Sequence, residues 1–186
     1  VRNTHEDKPV VIGLLQRYAT EKVIEKKEPL FERATPTDKK IAVIGAGPAG
    51  LSCAHRLALF GHNVTVFDKN KKAGGLNEHG IAAYKALHDI AQKEVDYILD
   101  IGGIKIKPEV QFGVDFTLNE LSDDYDAVFI AIGLSGVNPY KIEGEEVDGV
   151  IDATRYIHNL RQAELMSDLP VGDNIVVIGG GMTAID

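Results

Sequence analysis

Residues 41–51 read Ile41-Ala42-Val43-Ile44-Gly45-Ala46-Gly47-Pro48-Ala49-Gly50-Leu51, and residues 61–68 read Gly61-His62-Asn63-Val64-Thr65-Val66-Phe67-Asp68. Ile41–Ile44 is a short apolar run of the kind a parallel strand covered on both faces requires. Gly45 ends it, and Leu51–Phe60 continues at helical spacing. Gly61 closes that helix at the position where the backbone turns left-handed. Asn63–Phe67 is a second strand, ending at Asp68.

In this strand–turn–helix context the spacing Gly45-Ala46-Gly47-Pro48-Ala49-Gly50 has a mechanical meaning. Gly45 permits the tight turn, Gly47 lacks the Cβ that would block a pyrophosphate, and Gly50 lets the helix pack closely on the sheet. The helix N-terminus offers free N–H groups and partial positive charge to phosphates. Pro48 suits the first helical turn, where a missing N–H costs little. Asp68 stands about 20 residues on, where a carboxylate holds adenosine ribose hydroxyls. Glycines, flanking elements and terminal carboxylate together specify a dinucleotide site.

Working outward, Gly74-Gly75-Leu76 lies in a polar loop, Lys69–Gly80, beyond the ribose carboxylate. A plain NAD site would pass straight into another strand–helix unit. Two glycines here permit close backbone approach to a longer ligand, such as the ribityl and isoalloxazine part of FAD, the alternative being an ordinary turn. Ala131-Ile132-Gly133, at the end of the apolar run Ala127–Ile132, supplies a second close approach near the same crevice.

The remaining pattern alternates helices with strands. Tyr84–Asp100 reads as a helix stopped by Gly102-Gly103, and Ile104–Ile106 as a short strand. Val110–Phe116 is a candidate for another strand. Thr117-x-x-Glu120 is a capping box, Ala127–Ile132 a buried strand, and Asp152–Leu165 an amphipathic helix. Asn174–Ile178 reads as a final strand entering Gly179-Gly180-Gly181-Met182-Thr183-Ala184. There Gly179, Gly181 and Ala184 repeat the glycine-loop grammar and would receive a nicotinamide cofactor's pyrophosphate. Ahead of all this, Val10–Lys27 forms a helix with Val11, Leu14, Leu15, Tyr18 and Ala19 on one face, followed by a Pro29–Pro36 linker. The expected class is α/β: a Rossmann-like FAD-binding domain over 39–145, the start of a second dinucleotide-binding domain over 146–186, and a helical segment and linker over 1–38. The second domain is expected to be truncated at Asp186, leaving the residue that separates NAD from NADP beyond the chain.

Composition narrows the function. A formal charge of −8 disfavours nucleic acid or anionic membrane as partner. The apolar runs are too short to span a bilayer and no secretory pattern opens the chain, so a cytoplasmic setting is expected. Cys53 is the one cysteine, which leaves no disulfide, no cysteine metal cluster and no cysteine-pair electron relay within the chain. It reads as a small packing residue. His5, His55, His62, His88 and His158 show no metal-ligand pairing. His79 reads as a solvated loop histidine, Lys85 as an exposed lysine at a helix start, and Glu143–Asp148 as a solvated loop. No residue stands out as catalytic acid or base, since hydride transfer needs orientation and water exclusion.

The Gly45–Gly50 loop, Asp68, Gly74-Gly75-Leu76 and the Ala127–Gly133 strand resemble the two-dinucleotide flavoproteins. Their order and spacing are similar to those of the glutamate synthase small subunit and the N-terminal half of dihydropyrimidine dehydrogenase. Gly74–Ile81, continued through Ala82-Ala83-Tyr84-Lys85, resembles bacterial dihydropyrimidine dehydrogenase subunits more than glutamate synthase. Departures from the family pattern fall at Ala82, where proline is usual, and at Lys85-Ala86-Leu87. Val1–Tyr18 resembles the segment that follows the last cluster cysteine of an N-terminal iron–sulfur domain. The resemblance implies FAD and NAD(P)H as cofactors, with iron–sulfur clusters in that missing N-terminal region. It further implies a larger catalytic subunit of a redox complex as partner, without nucleic acid or membrane. A self-contained flavin reductase or monooxygenase, and a nucleotide-binding module without turnover, remain open.

Overall fold

The computed structural model describes residues 10–134 and 136–185. Residues 1–9, which hold His5 and the first half of the Val1–Tyr18 stretch, lie outside the described residues. The chain divides into two compact units, Val1–Glu32 and Arg33–Asp186.

The first unit carries α1, Ile12–Lys26, whose last turn closes on Lys27 in the left-handed conformation. Arg17–Glu21 and Lys22–Glu25 pair along its surface. The expected apolar face is present but exposed: Leu14, Leu15 and Tyr18 all face solvent.

The second unit is built on a four-stranded parallel sheet in the order β3-β2-β1-β4. Its strands are β1 (Lys40–Ile44), β2 (Asn63–Phe67), β3 (Ile104–Lys107) and β4 (Ala127–Ile130). β1 pairs with β2 from Lys40 opposite Asn63 to Ile44 opposite Phe67, and with β4 from Ile41 opposite Ala127 to Ile44 opposite Ile130. Strand alternation sorts the side chains into two layers. Ile41, Val43, Val64 and Val66 pack with Leu51, Ala54 and Val95 from α2 (Pro48–Leu59) and α4 (Ile90–Leu99). Ala42, Ile44 and Phe67 pack on the other face with Leu121 of α5 (Leu118–Asp124). Burying a valine such as Val43 or Val66 contributes about 1.5–3 kcal/mol each. Thr117 and Glu120 close the expected capping box at the start of α5.

Four readings need correction. Helix α4 begins at Ile90, not Tyr84, because His88 and Asp89 both adopt left-handed backbone and break the helical path. Val110–Phe116 is a turn, with Phe112 bridged to Phe116 and Gly113 N–H donating to Phe116 O at 2.8 Å. Its rings are spent on the Phe67 cluster rather than on a ladder, Phe67 and Phe116 lying 4.9 Å apart. Strand β4 stops at Ile130 and lies at the sheet edge, with Phe129 and Ile130 exposed rather than buried. Asn174–Ile178 forms no strand: among the described residues it has no ladder partner, and Val176 is 87% exposed. The helix expected over Asp152–Leu165 is α6, Ala153–Gln162, capped by the Asp152 carboxylate and followed by a 3-10 turn, Met166–Asp168.

Candidate functional site

Three strand ends meet at one edge of the sheet. Gly45 N–H donates to Phe67 O and Ala131 N–H to Ile44 O, each at 2.7 Å. The edge therefore presents the glycine loop after β1, Asp68 after β2 and Ala131–Gly133 after β4, at the point where chain order reverses between β1 and β4. Gly45 has φ +107°, and a Cβ there would stand 2.3 Å from Ala131 O. A Cβ on Gly50 would lie 1.8 Å from Gly45 O, so helix and loop are in closest contact there.

Gly47 is different. Its φ of −80° and ψ of −179° suit any residue, and a Cβ would touch only Gly75 Cα, at an ordinary 3.7 Å. Nothing in the fold demands glycine at 47. The bare position faces the N-terminus of α2, where Pro48 and Ala49 are exposed. A pyrophosphate fits such a cradle, because backbone N–H groups of the first turn lack intrahelical partners and a Cβ would fill the space.

Asp68 lies at this edge as expected, and its carboxylate is already engaged. Oδ2 accepts the Ala46 N–H at 2.7 Å and Oδ1 the Asn70 N–H at 2.8 Å. It thereby shapes the glycine loop and retains further acceptor capacity on both oxygens. Gly74 N–H donates to Ala46 O at 2.8 Å, joining the second glycine turn to the first. Gly74 and Gly75 have φ of +122° and +54°, and Leu76 beyond them is exposed. Gly133, with φ +66°, lies past β4, and a Cβ there would meet nothing within 4 Å among the described residues.

Leu76–His79 forms one helical turn, α3. Sequence reasoning missed what it carries. Glu78 and His79 are 4% and 8% exposed, so the reading of His79 as a solvated loop residue is overturned. The Glu78 carboxylate accepts from Gln92 Nε2 at 2.9 Å and Gln162 Nε2 at 3.2 Å. Lys72 Nζ lies 3.5 Å away and an Arg161 terminal nitrogen 3.6 Å away. Burial alone would raise the Glu78 carboxyl, but Gln92, Gln162, Lys72 and Arg161 together hold it below the usual carboxylate value. A His79 ring nitrogen, Nε2, lies 2.9 Å from Lys72 O, while Nδ1 is buried without a partner among the described residues. The ring stacks on His158 of α6 at 5.0 Å. Burial, then His79 and Lys69, pushes the His158 imidazole below its ordinary value. An acidic residue beside a histidine in a glycine-flanked loop was the available signal, and it is a weak one.

Lys85 stands half-buried in the turns before α4, with Nζ 5.5 Å from the Tyr84 ring centre. Cys53 is half-buried in α2, and burial pushes its thiol up. In the second glycine loop Gly179 has φ +126° and its Cβ position would lie 3.8 Å from Ala184 Cβ, whereas a Cβ on Gly181 would meet nothing within 4 Å among the described residues. The loop leads into α7, Met182–Ile185. Among the described residues no group of acidic, histidine or cysteine side chains could hold a metal ion, and no helix is long and apolar enough to cross a membrane.

Comparison with known proteins agrees with the α/β fold. Residues 39–186 match the family described as pyridine nucleotide-disulphide oxidoreductase. The chain is 37% identical to the glutamate synthase [NADPH] small chain of Escherichia coli strain K12, across 95% of this chain and 39% of that protein. It is 32% identical to the NAD-dependent dihydropyrimidine dehydrogenase subunit PreT of Salmonella typhimurium, across 97% of this chain and 43% of that one. The chain thus spans less than half the length of these relatives. Among solved structures, 2-naphthoyl-CoA reductase aligns with a TM-score of 0.58 at 29% identity, covering 84% of this chain and 22% of that one.

Proposed function

The chain belongs to the pyridine nucleotide-disulphide oxidoreductase family, and on that premise we propose that it is the flavin-binding part of an electron-input subunit. It takes hydride from NAD(P)H onto FAD and passes electrons to iron–sulfur clusters held elsewhere in the longer protein. A larger catalytic subunit, in a complex of the glutamate synthase or dihydropyrimidine dehydrogenase kind, would receive them. Both relatives support the reading, one name specifying NADPH and the other NAD.

The observation that carries the proposal is Gly47: a glycine that the fold does not need, set open before the α2 N-terminus. Around it, Gly45, Ala46, Pro48, Ala49 and Gly50 shape the pyrophosphate cradle. Asp68 offers its remaining lone pairs to ribose hydroxyls, and Gly74, Gly75, Leu76 and Gly133 give close backbone approach along the longer arm of the cofactor. Gly179, Gly181 and Ala184 serve the nicotinamide nucleotide's pyrophosphate. Bound FAD would supply the hydride acceptor and the conversion to single-electron transfer. The protein's part is to orient and to exclude water. With Cys53 as the one cysteine of these 186 residues, no disulfide relay forms within them, which favours clusters as the exit.

The test is a visible spectrum of the full-length protein, identification of the released cofactor by HPLC, and anaerobic titration with NADH and NADPH. Stoichiometric FAD that is bleached by one of the two is the expected result. A protein that stays colourless after added FAD, or flavin that neither nucleotide reduces, overturns the proposal. Rapid turnover with oxygen and no cluster would establish a self-contained reductase instead.

A further inference from the structure

We propose that Glu78 is a positioning residue that pins the Gly74–Gly75 turn to α6. This inference rests on the flavin reading above, since that turn is the cofactor's proposed neighbour. α3 is one turn of four residues, and its N-cap Gly75 makes no side-chain cap bond. A helix this short does not hold itself in water, because nucleation fixes several dihedrals for a single hydrogen bond. Gly74 and Gly75 also sit in backbone regions that the local chain does not enforce. Tertiary contacts must therefore set the turn: Gly74 N–H bonds Ala46 O on one side, and Glu78 gathers those that reach α4 and α6.

The contacts reach both sides of the turn. Gln92 Nε2 donates to Ala73 O at 2.8 Å and to Glu78 Oε2 at 2.9 Å, joining the residue before Gly74 to the residue that follows Leu76-Asn77. A Cβ on Gly74 would stand 2.9 Å from Glu78 Cβ, so the buried Glu78 side chain leaves room at 74 for glycine and not for a larger residue. Arg161, whose side chain is 10% exposed, grips Glu78 twice: Nε donates to its carbonyl at 2.8 Å and the terminal nitrogen lies 3.6 Å from its carboxylate. Gln162 adds the bond to Oε1. Helix α6 is the last helix of more than one turn before the Gly179–Ala184 loop. Through the buried carboxylate and the main-chain carbonyl of Glu78, the flavin-side turn is thus held to the segment that leads into the second nucleotide motif.

A purely structural ion pair would also matter for folding, so the test separates local from global effects. In the full-length protein, Glu78→Ala, Glu78→Gln and Arg161→Met are compared by amide hydrogen exchange, FAD affinity and flavin reduction rate at saturating FAD. Glu78→Ala is expected to speed exchange across Gly74–Gly80 by about tenfold or more while leaving Asn63–Phe67 unchanged, and to weaken FAD binding by about tenfold or more. Glu78→Gln keeps an acceptor for Gln92 and should recover part of that affinity. Arg161→Met should move in the same direction, and combining it with Glu78→Ala should loosen the turn further, because Arg161 Nε also holds the Glu78 carbonyl, which Glu78→Ala leaves in place. The pin is overturned if exchange rises equally in the sheet, or if FAD affinity is unchanged while the turn loosens. A wild-type protein that takes up no FAD would instead sink the flavin reading, and the exchange comparison alone would then decide the pin.

Discussion

Gly75 and Gly47 face each other so closely that a Cβ built on Gly75 would stand 2.6 Å from Gly47 Cα, whereas one built on Gly47 would lie 3.7 Å from Gly75 Cα. The two glycines are therefore required for different reasons. Gly75, at φ +54°, is demanded by the protein's own packing, and Gly47, on the proposal above, by the pyrophosphate in front of it.

Gly47→Ala should change thermal stability by less than about 1 kcal/mol, since loss of a glycine N-cap on α2 is offset by the stiffer unfolded chain. FAD affinity should fall by about tenfold or more, since the new methyl occupies the cradle. Thermal denaturation without cofactor and an FAD titration measure the two effects separately. A variant that binds FAD as well as wild type would remove the pyrophosphate from this position.

Gly75→Ala should behave in the opposite order. Backbone strain and contact with Gly47 cost about 1–3 kcal/mol, visible as a lower melting temperature even without cofactor. Equal stability of Gly47→Ala and Gly75→Ala would contradict the geometry.

Asp68 carries a similar division of labour. Asp68→Ala strands the buried Ala46 N–H, which Oδ2 now accepts at 2.7 Å, and should destabilise by about 1–3 kcal/mol. Asp68→Asn can keep that bond through its amide oxygen and should be milder in stability. Chemical denaturation of both variants checks the order.

The pH dependence of the α3–α6 junction has a definite sign. Burial first, then His79 and Lys69, lowers the His158 value in the folded chain, so the unfolded chain takes up the proton more readily. The contribution to stability is present above about pH 6.5, the unfolded value, and is lost as pH falls through the folded value. Replacing His158 with Phe should flatten that part of a melting temperature–pH profile. An unaltered profile would place the titration elsewhere.

Thr117→Ala should cost about 1 kcal/mol, because the Thr117 side chain and Glu120 cap the start of α5 reciprocally. α5 packs on the sheet face opposite α2, so FAD binding should be unaffected. An altered FAD affinity would mean that α5 is coupled to the glycine loop.

Local pattern by itself determined the first strand–glycine–helix unit, the second strand over Asn63–Phe67 with Asp68 at its end, and the capping box at Thr117. Each is written in neighbouring residues, since apolar spacing, glycine at a forced turn and a capping side chain act over a few positions. The helix over Val10–Lys27, the strand at Ile104–Ile106 and the helix from Asp152 were legible in the same way. Tertiary structure alone decided other features. The stretch from Tyr84 has helical spacing but loses its first turns to left-handed His88 and Asp89, and Asn174–Ile178 has strand character but no partner strand among the described residues. Most telling is Glu78, which local polarity assigns to solvent. Its burial depends on Arg161 and Gln162, more than eighty residues away. A charge enters the interior only when partners meet it there, and no local spacing records that such partners will arrive.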